Sequence, residues 1–302
     1  MAHGRNPCSP DSAFPLTPTT DDGIDEKAFV GLFDRLAAAE VDSITALGST
    51  GCYPYFDRDE RARVARLAVE HAGGIPVIVG IGCMRTREVL RLAEDAQRAG
   101  ASAVLLPPMS FHPLTADEVF GLYEDVTAEL SVPLVVYDNP GTTRFTFTDE
   151  LHARIAELPN IASIKIPGVP ATPDEAEARI AHLRAVLPSS VTLGVSVDPL
   201  AATGLITGCD AWNSVLAGTV PEPAVAITRA AQAGDSASAT AESERLQPLW
   251  DLLTRHGSLR VVSAIAEVLG LVGHPTLPRP LHGLSSDERA DVVEVVERLA
   301  LH

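Results

Sequence analysis

Lysine is scarce in this chain. Among 302 residues and 23 basic side chains, only Lys27 and Lys165 are lysine, and the remainder are arginine. Arginine stays charged at any ordinary pH, so a retained lysine can mark a place where a neutral amine is wanted. Long apolar runs are missing too. None approaches the roughly 18 residues that a membrane span needs. Residues 1–12 contain Arg5 but no apolar stretch before a cleavage site, so they read as a polar leader rather than a signal peptide. Cys8, Cys52, Cys83 and Cys209 are far apart and form neither a metal-ligand pair nor a disulfide framework. Reduced thiols in the cytoplasm are the expectation. The nine histidines show no HExxH spacing, and no metal or organic cofactor is expected. Positive charge is outnumbered: 40 acidic side chains leave a formal net charge of −17. Such a field repels phosphate backbones, which argues against nucleic acid as the partner.

What is present is an ordinary globular balance, 46% hydrophobic and 21% charged, with ample material for a core. One pattern repeats along the chain: a short apolar run, a turn, then a helical stretch. Candidate strands lie at 13–16, 43–47, 77–81, 103–106, 134–137, 162–165, 192–195 and 211–215. Helix starts are marked by Thr115 with Glu118, Thr172 with Glu175 and Ser285 with Glu288, each at capping-box spacing. Pro173 fits a first helical position. Val89, Leu92, Ala93 and Ala96 share one face of a helix that Gly100 should close.

Eight such units predict a closed parallel (β/α)8 TIM barrel over residues 13–234. An open doubly wound sheet is the alternative, but no GxGxxG follows the first strand. Beyond 234 the strand signals stop, and residues 235–302 read as a C-terminal helical extension. Its helices are expected near 236–255, 259–271 and 286–301.

In such barrels the site gathers at the C-terminal ends of the strands. There the chain offers Gly48-Ser49-Thr50-Gly51, the run Pro107 to His112, Tyr137 followed by Asp138-Asn139-Pro140, and Lys165. Lys165 has the apolar neighbours Ile161, Ala162, Ile164 and Ile166. A lysine so placed loses preference for its charged form. A neutral amine can attack a ketone and form a Schiff base. The alternative is an ion pair with a buried carboxylate. Tyr137 is either a proton carrier or a core tyrosine with its hydroxyl tied to backbone. The Gly-Ser-Thr-Gly turn can hold a carboxylate through its N–H groups and hydroxyls, although such turns are common.

These residues, in this order, resemble the dihydrodipicolinate synthase/N-acetylneuraminate lyase family of Schiff-base aldolases. The likeness runs from about Phe14 to the C-terminus. It includes Leu16-Thr17-Pro18, the Gly48–Gly51 turn with Asp59-Glu60-Arg61, Tyr137-Asp138-Asn139-Pro140, Ile164-Lys165 and Arg279-Pro280-Leu281. The resemblance implies a barrel with a C-terminal helical extension. It implies Lys165 as the imine-forming residue, Tyr137 as the proton relay and Ser49 as its hydroxyl partner. Thr50, with the backbone N–H groups of Ser49 and Thr50 in the turn that Gly48 opens, would clamp the substrate carboxylate.

The chain also departs from the family. Met109 and Ser110 stand where the synthases carry a tyrosine pair that completes a relay across subunits. Thr142 replaces a carboxylate-binding arginine, with Arg144 two residues on. Cys52 replaces a glutamate. Trp212, aligned near the eighth strand, would narrow the pocket. The leading expectation is a lyase or aldolase acting on pyruvate or another 2-oxo acid, with an aldehyde as second partner. One alternative is a 4-hydroxy-tetrahydrodipicolinate synthase, condensing pyruvate with aspartate semialdehyde and using Arg144. The other is a sensor that binds a 2-oxo acid without turnover. A homo-oligomer, dimer or tetramer, is expected from the same likeness.

Overall fold

The computed structural model describes residues 11–21 and 23–302. The expected leader lies outside the described residues, except for its last two positions. Eight parallel strands close into a barrel. They are β1 (Asp11–Ala13), β2 (Ser43–Ala46), β3 (Val77–Gly80), β4 (Ala103–Leu106), β5 (Leu134–Tyr137), β6 (Ile161–Ile166), β7 (Thr192–Val195) and β8 (Ala211–Ser214). Each pairs with its neighbours in sequence, and β8 returns to β1. Helices follow the strands and cover the outside of the wall.

The first strand differs from the expected 13–16. It starts at Asp11, so Asp11 and Ser12 belong to the barrel rather than to a leader. It ends early for a chemical reason. Phe14 still donates its N–H to Ser214 (2.9 Å), but Pro15 has none to give and the ladder stops. A short antiparallel pair, Thr19–Thr20 against Gly23–Ile24, follows.

The helix starts follow their sequence signals with one exception. Thr115 and Ser285 both form full capping boxes, as does Asp57 with Glu60. Thr172 instead directs its hydroxyl to the Glu175 carboxylate and caps no backbone N–H. Pro173 opens its helix and Gly100 closes Thr86–Ala99. In the C-terminal region the stretch expected as one helix is two, Ser236–Arg245 and Gln247–His256. Pro248 cannot donate to the preceding turn, so the ladder breaks there and restarts. Ser258–Val268 and Ser286–Leu299 complete the extension, which packs outside the barrel.

Two apolar layers organise the whole. Side chains pointing outward from the strands join the helices in one large cluster. Those pointing inward form a smaller one: Phe14, Ile78, Ala103, Leu105, Val135 and Tyr137. This inner layer floors the mouth of the barrel, where the candidate site lies.

Candidate active site

Lys165 is the fifth residue of β6. Its neighbours Ile164 and Ile166 turn outward into the helix layer, so strand alternation sends Lys165 into the lumen. There its Nζ lies 4.9 Å from the ring centre of Tyr137 and 5.2 Å from that of Phe14. The side chain is only 5% exposed. Burial pulls its pKa down from 10.5 to about 7, with the carboxylates of Asp198 and Asp138 pulling it back up. Neither carboxylate forms an ion pair with it. Asp198 is occupied elsewhere: it accepts from Trp212 Nε1 (3.1 Å) and from the N–H groups of Val215 (3.2 Å) and Leu216 (2.8 Å). Asp138 turns outward and lies 3.4 Å from Nε2 of buried His152, whose ring stacks on Phe147. The amine is thus largely desolvated and, among the described residues, has no partner that neutralises it, a state that favours loss of its proton near neutral pH.

Tyr137 ends β5 and is paired in register with Lys165. Its hydroxyl donates to Ser49 Oγ (3.0 Å) and accepts from Asn139 Nδ2 (3.1 Å). Both contacts are side-chain contacts, so the reading of a core tyrosine tied to backbone does not describe it.

Ser49 and Thr50 sit in the turn after β2. Leu47 and Cys52 flank the turn in the left-handed region, at φ 56° and 53°. Gly48 is needed because a Cβ there would stand 2.7 Å from the Phe14 ring. Within this turn Cys52 donates its N–H to the Ser49 carbonyl and its thiol to that of Thr50. Among the described residues the N–H groups of Ser49 and Thr50 donate to nothing. Two uncommitted N–H groups beside two hydroxyls make a ready cradle for a carboxylate.

Two expected residues stand elsewhere. Trp212 does not narrow the pocket. It is fully buried in the outer layer, its indole N–H bound to Asp198. Ala211 and Asn213 are the residues of β8 on the inward side, and the Asn213 amide leans over Gly194; a Cβ on Gly194 would stand 2.3 Å from it. Gly194 is the register partner of Lys165. Arg144 is exposed, at φ 58°, just past the short helix Pro140–Thr143. Its guanidinium holds no hydrogen bond or ion pair among the described residues. Ser110 spends its hydroxyl on the carbonyl of His112 in its own loop.

Phe14, Asn213 and Asp198 add to the expected site residues, and Asn139, expected only as part of the turn after Tyr137, gains a hydrogen bond to the Tyr137 oxygen. Phe14 and Asn213 follow from strand alternation once the register is known. Asp198 follows from reading the end of β7 as closely as the others. No group of three His, Cys, Asp or Glu among the described residues is placed to hold a metal ion, and no helix there is long and apolar enough to cross a membrane.

The fold defines the class, a (β/α)8 barrel enzyme, and the candidate site lies at its C-terminal mouth. The chain belongs to the dihydrodipicolinate synthetase family, whose model matches residues 11–299. It is 32% identical over 262 residues to the 4-hydroxy-tetrahydrodipicolinate synthase of Methylococcus capsulatus, covering 85% of this chain and 87% of that one. A crystal structure described as dihydrodipicolinate synthase from Agrobacterium tumefaciens superposes with a TM-score of 0.92 at 44% identity, covering 97% and 98% of the two chains. The chloride-inhibited dihydrodipicolinate synthase from Acinetobacter baumannii, solved as a complex with pyruvate, superposes at 0.88 with 25% identity, covering 98% and 100%.

Proposed function

We propose that the chain is an imine-forming lyase that takes pyruvate or a related 2-oxo acid and makes or breaks a carbon–carbon bond beside the imine. The observation that carries this is the buried amine of Lys165, unpaired and set against the rings of Tyr137 and Phe14. The neutral amine attacks the ketone carbon of the 2-oxo acid. The resulting carbinolamine loses water as Tyr137 protonates the departing hydroxyl. The protonated imine then accepts the electron pair of an adjacent C–H or C–C bond, giving an enamine. In the synthetic direction that enamine attacks an aldehyde. Ser49 relays the proton to and from Tyr137. The N–H groups of Ser49 and Thr50, with the Thr50 hydroxyl, hold the substrate carboxylate, and Gly48 keeps the turn close to the lumen.

A second reading is narrower: condensation of pyruvate with aspartate semialdehyde to 4-hydroxy-tetrahydrodipicolinate. It is supported by the names of the relatives and by the unpaired guanidinium of Arg144, which would take the carboxylate of the aldehyde. The same family membership supports a cytoplasmic homo-oligomer, a dimer or tetramer, for which light scattering is the test.

Borohydride reduction in the presence of pyruvate tests the proposal. The expected result is one stable adduct on Lys165, absent from Lys165→Ala. No adduct, or one that survives that substitution, would refute it. Turnover with an aldehyde separates an enzyme from a protein that only binds the 2-oxo acid, and aspartate semialdehyde as that aldehyde tests the narrower reading.

A further inference from the structure

Asn139 is the second side chain that touches the Tyr137 oxygen. It stands at the N-cap of Pro140–Thr143, a position where an asparagine ordinarily accepts a hydrogen bond from the helix N–H groups. Here it makes no side-chain cap. The Thr142 and Thr143 hydroxyls bond to its backbone carbonyl instead. Its amide is turned toward β5, and the one hydrogen of the phenol goes to Ser49. The phenol oxygen therefore faces an N–H that can donate to it but has no proton to give up at ordinary pH.

We infer that Asn139 is a positioning residue for proton transfer, holding the Tyr137 phenol toward Ser49 and stabilising the phenolate each time its proton leaves. This role rests on the reading of Tyr137 as proton carrier. The balance is simple. Tyr137 gives its proton to the departing hydroxyl of the carbinolamine and becomes a phenolate. It recovers a proton from the carbon beside the imine as the enamine forms. In between, the negative oxygen is met by the Asn139 N–H, a hydrogen bond that strengthens when the acceptor becomes charged. All the groups involved come from one chain.

The test is exchange of the pyruvate methyl protons in heavy water, followed by NMR, alongside borohydride trapping. Asn139→Leu removes the donor. Exchange at saturating pyruvate is expected to slow about 10- to 100-fold, the size of one hydrogen bond to a charged group. KM for pyruvate should move by less than about threefold, and the Lys165 adduct should still form. Asn139→Asp keeps the shape, removes the N–H donors and should slow exchange at least as much, so it serves where the leucine variant is insoluble. In a Tyr137→Phe background, Asn139→Leu should have no further effect, because the oxygen it serves is gone.

Exchange within about threefold of the unmodified protein in both single variants would overturn the inference. So would an equal loss with and without the Tyr137 hydroxyl. Failure of the unmodified protein to form any adduct would instead overturn the proposed function, and this role with it.

Discussion

Lys165 and Asp11 lie at opposite ends of the barrel strands, and burial pushes each toward its neutral form. Lys165 falls to about 7, and Asp11 rises to about 8. Their surroundings differ. Asp11 opens β1 on the N-terminal side, in contact with the ion pair of Asp42 and Arg229. Asp42 raises its pKa further while Arg229 opposes this, and among the described residues neither carboxylate oxygen of Asp11 has a hydrogen bond. No phenol or empty N–H cradle faces it among the described residues. Lys165 has both, at the mouth of the lumen. A displaced pKa alone therefore does not distinguish a reactive group from a strained structural one. The groups around it and the access to it do.

The largest expected effect breaks the comparison at its reactive end. Lys165→Ala should abolish turnover, a loss on the order of 10⁴-fold or more in kcat with the best 2-oxo acid and aldehyde pair. Tyr137→Phe should follow at about 10²- to 10³-fold, the range for a positioned proton carrier. Steady-state kinetics over both variants checks the order.

Adduct formation at Lys165 should also depend on pH. Only the neutral amine attacks, so the initial rate of adduct formation should rise about tenfold per pH unit below about 7 and level off above it. Stopped aliquots trapped from about pH 5.5 to about pH 9 would show it.

The two ends of the barrel also oppose each other in how stability depends on pH. A lysine whose folded pKa lies below its unfolded value is penalised at low pH, and the penalty fades as pH rises from about 7 toward 10.5. Asp11 behaves in the opposite sense: its penalty is absent near pH 4 and complete above about 8. Lys165→Met should stabilise the fold at pH 6, on the order of several kcal/mol, and much less at pH 10. Asp11→Asn should stabilise it at pH 9 and do little at pH 4. Denaturant melts at these pH values check the crossing pattern.

The smallest effect belongs to the outer layer. Trp212→Phe removes one hydrogen bond from the buried Asp198 carboxylate and should cost about 1–3 kcal/mol of stability. Because the ring packs outside the lumen, the preference among 2-oxo acids of different size should not change. A broadened substrate range in that variant would restore Trp212 to the pocket.

Much of this architecture was legible in the residues. The (β/α)8 order follows from apolar runs alternating with capped helices, because Thr115 and Ser285 signal their helices locally. The facing of single residues was less legible. Strands of a parallel barrel are covered on both sides, so Ala211-Trp212-Asn213-Ser214 carries no clean alternation. Only its pairing with Val195 and Gly194 shows that Trp212 points out. Lys165 stood out by its rarity and its place at a strand end. Asn139 did not, because an asparagine before a proline reads as an ordinary turn or cap residue. Its amide acquires a different partner only when the strands bring Tyr137 and Ser49 together.

The most direct measurement is a crystal structure of the protein soaked with pyruvate. The account predicts continuous electron density from Lys165 Nζ to the ketone carbon, with the carboxylate on the N–H groups of Ser49 and Thr50 and the Tyr137 oxygen beside the new bond. Pyruvate bound without a bond to Lys165, or attached at another residue, would contradict it.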